Sequence, residues 1–123
     1  MKILRLLLPV VLCAATALAQ APAADPLHGW LAASTPDTFE AWLNQRLAAA
    51  QADIAKLVAV QGPRTVENTL RPFDDAQNEL TIAGNNAYLL YSLADAAALR
   101  DKGQALSAKV ASTQTDLGLN QAV

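Results

Sequence analysis

The sequence is poor in the side chains that most often carry out catalysis or bind metals. Its 123 residues include one histidine, His28, and one cysteine, Cys13. A zinc site of the H-E-x-x-H kind needs two histidines one helical turn apart, and a serine triad needs a well-placed histidine base. A lone histidine in the segment PLHGWL supplies neither, so we interpret His28 as a partly exposed loop residue.

The single cysteine lies inside an apolar N-terminal stretch rather than in a folded domain. Leu12 precedes Cys13, and the apolar run continues beyond it, which argues against a lipoprotein attachment site. If this stretch is cleaved, the mature chain has no thiol. Disulfides, thiol catalysis and cysteine-based metal sites are then excluded.

The apolar run at the N-terminus is shorter than the ~20 residues that a membrane-spanning helix needs. After a basic start, it covers residues 6–17, is interrupted by Pro9, and is followed by small residues at Ala17 and Ala19. This pattern predicts a secretory signal peptide over residues 1–19 and a periplasmic or secreted mature protein. A membrane anchor is the alternative, and we expect no stable anchor after cleavage.

Charged residues are few and scattered, which argues against binding to nucleic acid. The chain has nine basic and eleven acidic residues, and loss of residues 1–19 removes Lys2 and Arg5. Seven basic residues then remain beside eleven acidic ones, a net charge of −4. Because phosphate contacts need clustered lysine and arginine, we expect no nucleic-acid partner.

Three helices are predicted after a flexible leader at residues 20–36, in which Pro26 opens a short helical turn. The first helix is predicted over residues 37–61, with Asp37 and Glu40 as a capping box and Gly62-Pro63 as the stop. Its apolar face repeats at three- and four-residue steps and comprises Phe39, Trp42, Leu43, Leu47, Ala50, Ile54, Leu57 and Val58.

The second helix is predicted over residues 66–83. Thr65, Asn68 and Thr69 are all candidate caps, and Pro72 favours a start at Asn68 or Thr69 because a proline in a helix interior loses a hydrogen bond. The predicted buried stripe comprises Leu70, Phe73, Leu80 and Ala83 or Ala87. The run Gly84-Asn85-Asn86 predicts a break or kink.

The third helix is predicted over residues 86–120, with Ser92 or Asp95 as a candidate cap. The apolar segment AYLLYSLA fits a strand or a helix, and helix is favoured because no second strand candidate exists. The predicted inner face comprises Leu99, Leu106, Val110, Thr113 and Leu117. The expected fold class is therefore all-α, with three long antiparallel helices in up-down-up order.

Two further groups of residues are candidate sites, and each has a simpler structural interpretation. Asp74, Asp75 and Glu79 offer carboxylates on one helix, but too few oxygen ligands for calcium, so a solvated helix face is favoured. The aromatic residues offer a ligand-binding cluster, but such residues more often pack helices together; they are Trp30, Trp42, Tyr88 and Tyr91.

Residues 63–80 read PRTVENTLRPFDDAQNEL and contain a Thr-x-Glu-Asn-Thr motif followed by an apolar residue and an acidic helix. The matching residues are Thr65, Glu67, Asn68, Thr69 and Leu70. This segment resembles the N-terminal region of the thimet oligopeptidase family, zinc metallo-oligopeptidases that include oligopeptidase A, peptidyl-dipeptidase and neurolysin. With a long amphipathic helix before it and DLGLNQAV near the end, the resemblance covers roughly residues 35–123.

The resemblance implies an exported oligopeptidase whose catalytic residues lie elsewhere. In the family, an H-E-x-x-H helix and a further glutamate bind zinc, and the glutamate between the histidines acts as general base on a zinc-bound water. None of these residues has a counterpart here. We therefore assign no catalytic, cofactor-binding or metal residue to this chain, and expect it alone to be inactive and not to bind zinc tightly.

The predicted domain organisation has a signal peptide over residues 1–19 and a leader over 20–36. For residues 37–123, the resemblance implies an N-terminal helical region truncated before the catalytic domain. The implied partners are the remainder of the peptidase chain and, for the full-length enzyme, oligopeptide substrates. The alternative function is a stand-alone exported helical module that binds a partner protein.

Overall fold

The described part of the chain folds into three long helices. A computed structural model describes residues 28–29 and 35–120. Helix α1 spans Pro36–Val58, helix α2 spans Arg71–Leu93 directly after a π-helical turn at Val66–Leu70, and helix α3 spans Ala97–Gly118. No β-strand occurs within these ranges. The predicted all-α class with three long helices and short connections is confirmed.

Contacts between the helices establish the up-down-up order. Gly103 of α3 lies against Tyr91 of α2, and Val110 lies further down against Gly84, so α2 and α3 are antiparallel. Lys102 and Lys109 of α3 bind Glu40 and Asn44 of α1 in the same order, so α1 and α3 are parallel. None of the helices in the described ranges is both long enough and apolar enough to cross a membrane. The predicted signal peptide, residues 1–19, lies outside the described residues.

Helix α1 begins one residue earlier than predicted because Thr35, rather than Asp37, is its N-cap. The Thr35 hydroxyl accepts the Thr38 backbone N–H at 3.2 Å, and the Thr38 hydroxyl accepts the Thr35 N–H at 3.1 Å. Pro36 occupies the first helical position, where its missing N–H costs nothing. Glu40 is therefore free of capping and reaches α3 instead, where its carboxylate binds Lys102.

The same helix ends at Val58, three residues before the predicted end, with Ala59 as the C-cap. Gly62 has a φ of +91°, a left-handed backbone conformation that glycine adopts without a steric penalty. Gly62 therefore turns the connecting segment after the helix has already ended, rather than capping the helix itself.

The second helical segment starts at Thr65, which corrects the preferred start at Asn68 or Thr69. Thr65 is the N-cap of the π-helical turn, and the Arg71 backbone N–H donates to the Val66 carbonyl, five residues back. A regular α-turn would press the Pro72 ring against the carbonyl four residues before it. The wider π-turn comes immediately before the proline, and regular α-helix then begins with Pro72 in its first turn.

Helix α2 continues through Gly84-Asn85-Asn86, where a break was predicted. The buried Asn86 side chain donates from Nδ2 to the Ile82 carbonyl at 2.9 Å, so its amide is satisfied within the helix. Gly84 faces α3, and a Cβ there would lie 3.5 Å from the Val110 side chain. Tertiary packing thus keeps this weak helix-forming run helical, and the predicted third helix from residue 86 is divided between α2 and α3.

The turn between α2 and α3 lies at residues 94–96, and neither predicted cap begins α3. Ala96 is the N-cap and has no capping side chain. The Arg100 guanidinium instead donates from Nη1 to the carbonyls of Ala94 and Asp95, at 3.0 and 2.6 Å. An arginine from the first turn therefore closes the connection.

One apolar core lies between the three helices and follows most of the predicted stripes. The buried apolar residues are Phe39, Trp42, Leu43, Leu47, Ala50, Leu57, Ala76, Leu80, Ala83, Ala87, Leu90, Leu106 and Val110. Ile54, Leu99 and Leu117 pack against this core and are partly buried. Val58, Leu70 and Phe73 were predicted to be buried and are exposed.

Polar pairs at the edges of the core hold the helices in register. Arg46 of α1 donates from Nη1 to both carboxylate oxygens of Glu79 of α2, at 2.9 and 3.1 Å. Lys102 of α3 binds Glu40 of α1 at 2.5 Å, and its ammonium group holds the pKa of Glu40 below the ordinary value. Such pairs fix which helix faces meet, because a wrong register would leave these charges without partners.

Candidate functional site

His28 is exposed at the edge of the described region, next to Gly29, which is buried. Gly29 packs so closely on the Trp42 ring that a Cβ would lie 2.2 Å from it. Gly29 therefore lies directly against a residue of the core. Trp30, the other aromatic residue of this segment, lies outside the described residues.

The three carboxylates considered as a metal site are divided by the fold. Glu79 is engaged by the Arg46 guanidinium of α1, whereas Asp74 and Asp75 are exposed at the start of α2. In the described ranges, no three histidine, cysteine, aspartate or glutamate side chains lie close enough to hold a metal ion. Asp75 and Glu79 share a helix face, as expected from their spacing. Glu79 is paired with Arg46, so the two carboxylates do not act together as metal ligands.

Trp42, Tyr88 and Tyr91, the candidate aromatic residues within the described ranges, do not form one cluster. The Trp42 ring stacks on Phe39, with ring centroids 5.7 Å apart, and the Arg46 guanidinium lies 5.4 Å from the Trp42 ring centroid. Trp42 is also buried in the core that the three helices share, as predicted. Tyr88 and Tyr91 are exposed on the outer side of α2, which corrects the interpretation that they also pack between helices.

The Thr-x-Glu-Asn-Thr motif forms a compact hydrogen-bonded joint between α1 and α2. Asn68 is its centre: its Oδ1 accepts the Thr65 backbone N–H at 2.7 Å and the Thr69 hydroxyl at 2.8 Å. Its Nδ2 donates to the Pro63 carbonyl at 3.1 Å, and its backbone N–H donates to the Thr65 hydroxyl at 3.3 Å. The polar motif residues thereby close the loop onto the helix start, and Glu67 lies in the positive first turn.

Apolar side chains cover the outside of this joint. Val66, Leu70 and Phe73 are 56%, 60% and 37% exposed, and we call these three side chains the motif face. They line an open depression of about 450 Å³ together with Arg71, Asp74 and Asp75. A second depression of about 310 Å³ lies between Leu70, Phe73 and the buried Leu57. The joint therefore presents unburied apolar surface bordered by charges of both signs.

A shallow groove of about 250 Å³ lies where the three helices meet at the same end of the bundle. Its apolar floor is formed by Ile54, Leu80 and Leu117, and polar side chains including Gln51 and Asp116 form its rim. The groove has no cluster of groups that could perform acid–base or nucleophilic chemistry. Its floor can accommodate apolar groups.

Comparisons with known proteins do not assign the chain. No protein-family model matches it, and neither the curated proteins nor the solved structures include a significant match.

The sequence located the joint but missed its apolar face. Leu70 and Phe73 have the spacing of a buried stripe, and a stripe does not reveal where the partner helix ends. Pro72 is the signal that could have indicated exposure. A proline is tolerated in the first turn of a helix, so it indicates that Leu70 and Phe73 lie near the helix start.

Proposed function

We propose that this chain is the N-terminal helical region of an exported zinc metallo-oligopeptidase of the thimet oligopeptidase family. The intact enzyme hydrolyses short peptides in the periplasm or outside the cell. The catalytic H-E-x-x-H helix belongs to the remainder of the enzyme, and residues 37–123 supply part of the helical wall around its substrate channel.

The observation that carries this proposal is the correspondence between the motif and a single structural unit. Thr65, Asn68 and Thr69, which match the family pattern by residue type, take part in one hydrogen-bonded joint. Thr65 and Asn68 form a capping box at a helix start, as Thr35 and Thr38 do for α1, and the further bonds from Asn68 to Pro63 and Thr69 distinguish this joint. Glu67 and Leu70 match as well, one favouring the positive helix start and the other contributing to the motif face.

The distribution of chemistry is consistent with a supporting rather than a catalytic role. The carboxylates that the described residues bring near cations, Glu40, Asp53 and Glu79, each pair with a lysine or arginine. Glu40 and Glu79 pair with cations of other helices, and Asp53 pairs with Lys56 of its own helix, so each of the three is engaged in an ion pair. We therefore expect the purified chain to leave peptides uncleaved with or without added zinc.

The most direct test is the coding DNA beyond codon 123. An open reading frame that continues to an H-E-x-x-H helix is the expected result, and the mature protein should begin at Gln20 by mass spectrometry. An in-frame stop codon with no such continuation contradicts the proposal. Chelator-sensitive peptide hydrolysis by the purified 123-residue chain would also contradict it.

The closed core favours a second candidate, a stand-alone exported helical module that binds a partner protein. Phe39, Leu43 and Leu80 are almost completely buried in the core that the three helices share. Such a module should unfold cooperatively, with one transition by circular dichroism and by tryptophan fluorescence. Non-coincident transitions and exposed apolar surface in the native state would instead favour the peptidase fragment.

A further inference from the structure

We propose that the last two turns of α3 form a movable arm, which opens and closes while the rest of the bundle stays folded. The arm comprises residues 111–118 and supplies one wall of the shallow groove where the three helices meet. Opening the arm exposes the apolar residues beneath it. This movement is a property of the described chain and does not depend on the proposed function.

Burial changes abruptly along α3 at Val110. Leu106 and Val110 are buried four residues apart, whereas no residue from 111 to 120 is buried. The ends of the other two helices differ, because Leu57 in the last turn of α1 is 1% exposed and Leu90 in the last turn of α2 is 3% exposed. Little apolar burial therefore opposes opening of α3 beyond Val110, and segments with few buried contacts are those that open locally.

The arm is also a weak helix by its own sequence. It reads ASTQTDLG, and serine, threonine, aspartate and glycine all rank below alanine and leucine in helix propensity. The hydroxyls of Thr113 and Thr115 each donate to the carbonyl four residues back, at 3.0 Å. Such bonds slightly destabilise a helix and often bend it. Neither helix propensity nor burial therefore holds these two turns firmly.

The charge at the end of α3 also opposes helix formation. Asp116 lies in the last turn, where the free carbonyl groups give a helix a partial negative charge. The last turn contains no basic residue that would offset it. A carboxylate at this position is repelled by the helix end, whereas a cation would be favoured, so opening of the arm relieves an unfavourable interaction.

The groove beneath the arm gives the opening a structural consequence. Leu117 of the arm, Ile54 of α1 and Leu80 of α2 border this space of about 250 Å³. Because the space is empty, Leu117 contacts the core incompletely, which weakens the closed state. When the arm opens, Leu117 leaves and Ile54 and Leu80 become accessible. The groove therefore has a wall that moves, and it enlarges to admit a larger apolar group.

Amide hydrogen exchange, followed by NMR on the 123-residue chain, tests the arm directly. After correction for intrinsic exchange rates, the amides of residues 115–118 should exchange at least about tenfold faster than those of residues 55–58 and 90–93. The latter two ranges are the last turns of α1 and α2, and they are matched references because each contains a buried leucine. Equal protection at the three helix ends overturns the proposal.

Two leucine-to-alanine substitutions distinguish a separate arm from an integral part of the bundle. Leu117→Ala weakens only the closed arm, so it should speed arm exchange about threefold or more while lowering Tm by less than about 5 °C. Leu106→Ala, in the buried part of the same helix, should lower Tm by about 10 °C or more, or prevent folding. A larger fall in Tm for L117A means that the arm unfolds only with the whole bundle, and the proposal is then wrong.

Reversing the charge at the end of α3 should favour the closed arm. Asp116→Lys should slow exchange of the arm amides by about threefold to thirtyfold, because a cation replaces an anion at the negative helix end. The matched control is Asp101→Lys, the same change at an exposed position near the start of α3, which should not slow exchange of the arm. Unchanged exchange in D116K, or equal slowing in D101K, also overturns the proposal.

Discussion

Replacing Gly103 with alanine would test the close approach of α3 to the backbone of α2. An alanine Cβ at this position would lie 2.6 Å from the Tyr91 backbone nitrogen and 2.9 Å from the Ala87 carbonyl oxygen. Both contacts are with backbone atoms of α2, which cannot move aside as a side chain can. Relief therefore requires α3 to move away from α2 along much of its length.

The magnitude follows from two opposing effects. Alanine is favoured over glycine in a helix interior by about 1 kcal/mol, whereas forcing extra volume into a packed contact typically costs about 1–3 kcal/mol and sometimes more. The added Cβ is fixed to the backbone of α3 and would meet backbone atoms of α2. Because neither side can rotate away, we place the cost of the clash at the upper end of that range. The G103A variant should therefore be less stable by about 1–2 kcal/mol.

Gly84→Ala is the matched control, because it makes the same change in the interior of the other helix. Its Cβ would lie 3.5 Å from the Val110 side chain, an ordinary contact distance. The higher helix propensity of alanine is then almost the only effect on stability. The G84A variant should therefore be more stable than the natural chain by about 0.5–1 kcal/mol. The two substitutions should change stability in opposite directions.

Thermal unfolding followed by circular dichroism measures the difference directly. For a domain of this size, 1 kcal/mol corresponds to roughly 4–8 °C in Tm, so G103A should melt below the natural chain and G84A above it. If G103A melts as high as G84A, α2 and α3 do not approach each other at Gly103 as described.

Three further predictions concern polar interactions. Thr65→Ala should lower the free energy of unfolding by about 1 kcal/mol, measured by urea titration, because the helix start loses its cap; Thr65→Ser should retain most of it. Because Lys102 lowers the pKa of Glu40 in the folded state, this pair stabilises the fold above the ordinary glutamate pKa of 4.5, and its contribution is lost as the pH falls through the folded pKa. Glu40→Gln should therefore flatten the loss of stability on acidification, and an unchanged acid limb would contradict the pairing. A double-mutant cycle on Arg46 and Glu79 should give a coupling free energy of about 0.5–1 kcal/mol, and a value near zero would show that their hydrogen bonds are not maintained in solution.

The sequence predicted the helical class and most of the core because both depend on local periodicity. Leu43, Leu47, Leu80 and Val110 lie where three- and four-residue spacing places them, on inner faces of their helices. The long apolar segment around Leu90 was also correctly predicted to be helical. These are properties that each helix carries in its own sequence.

Helix boundaries were harder to predict, because they depend on contacts between helices. The run at Gly84 contains weak helix formers, and only its packing against α3 keeps α2 continuous. At the other boundary, the sequence offered Thr65 and Asn68 as competing caps, and the structure uses both in one joint. Cap preferences alone could not choose between Thr65 and Asn68, because the two residues bind each other in the same helix start.

The candidate site was predicted in its location but not in its surface. The motif identified residues 65–70 as unusual, yet its polar residues are occupied within the joint, and the groups available to other molecules are apolar. Exposure of Leu70 depends on where the neighbouring helices stop, which helical periodicity alone does not specify.

The π-turn has a consequence for how substitutions and deletions around Pro72 should be understood. Its hydrogen bond spans five residues instead of four, so the turn contains one residue more than an α-helix would use over the same distance. Since each residue advances an α-helix by about 100°, side chains before the turn are out of phase with those after it. Side chains from Val66 onward to Leu70 are therefore rotated about the helix axis relative to the core stripe of α2.

Deleting one residue between 66 and 70 would convert the π-turn to a regular α-turn and rotate the whole preceding joint around the helix axis. The number of residues in this segment, as much as their identity, sets which side of the bundle the joint faces.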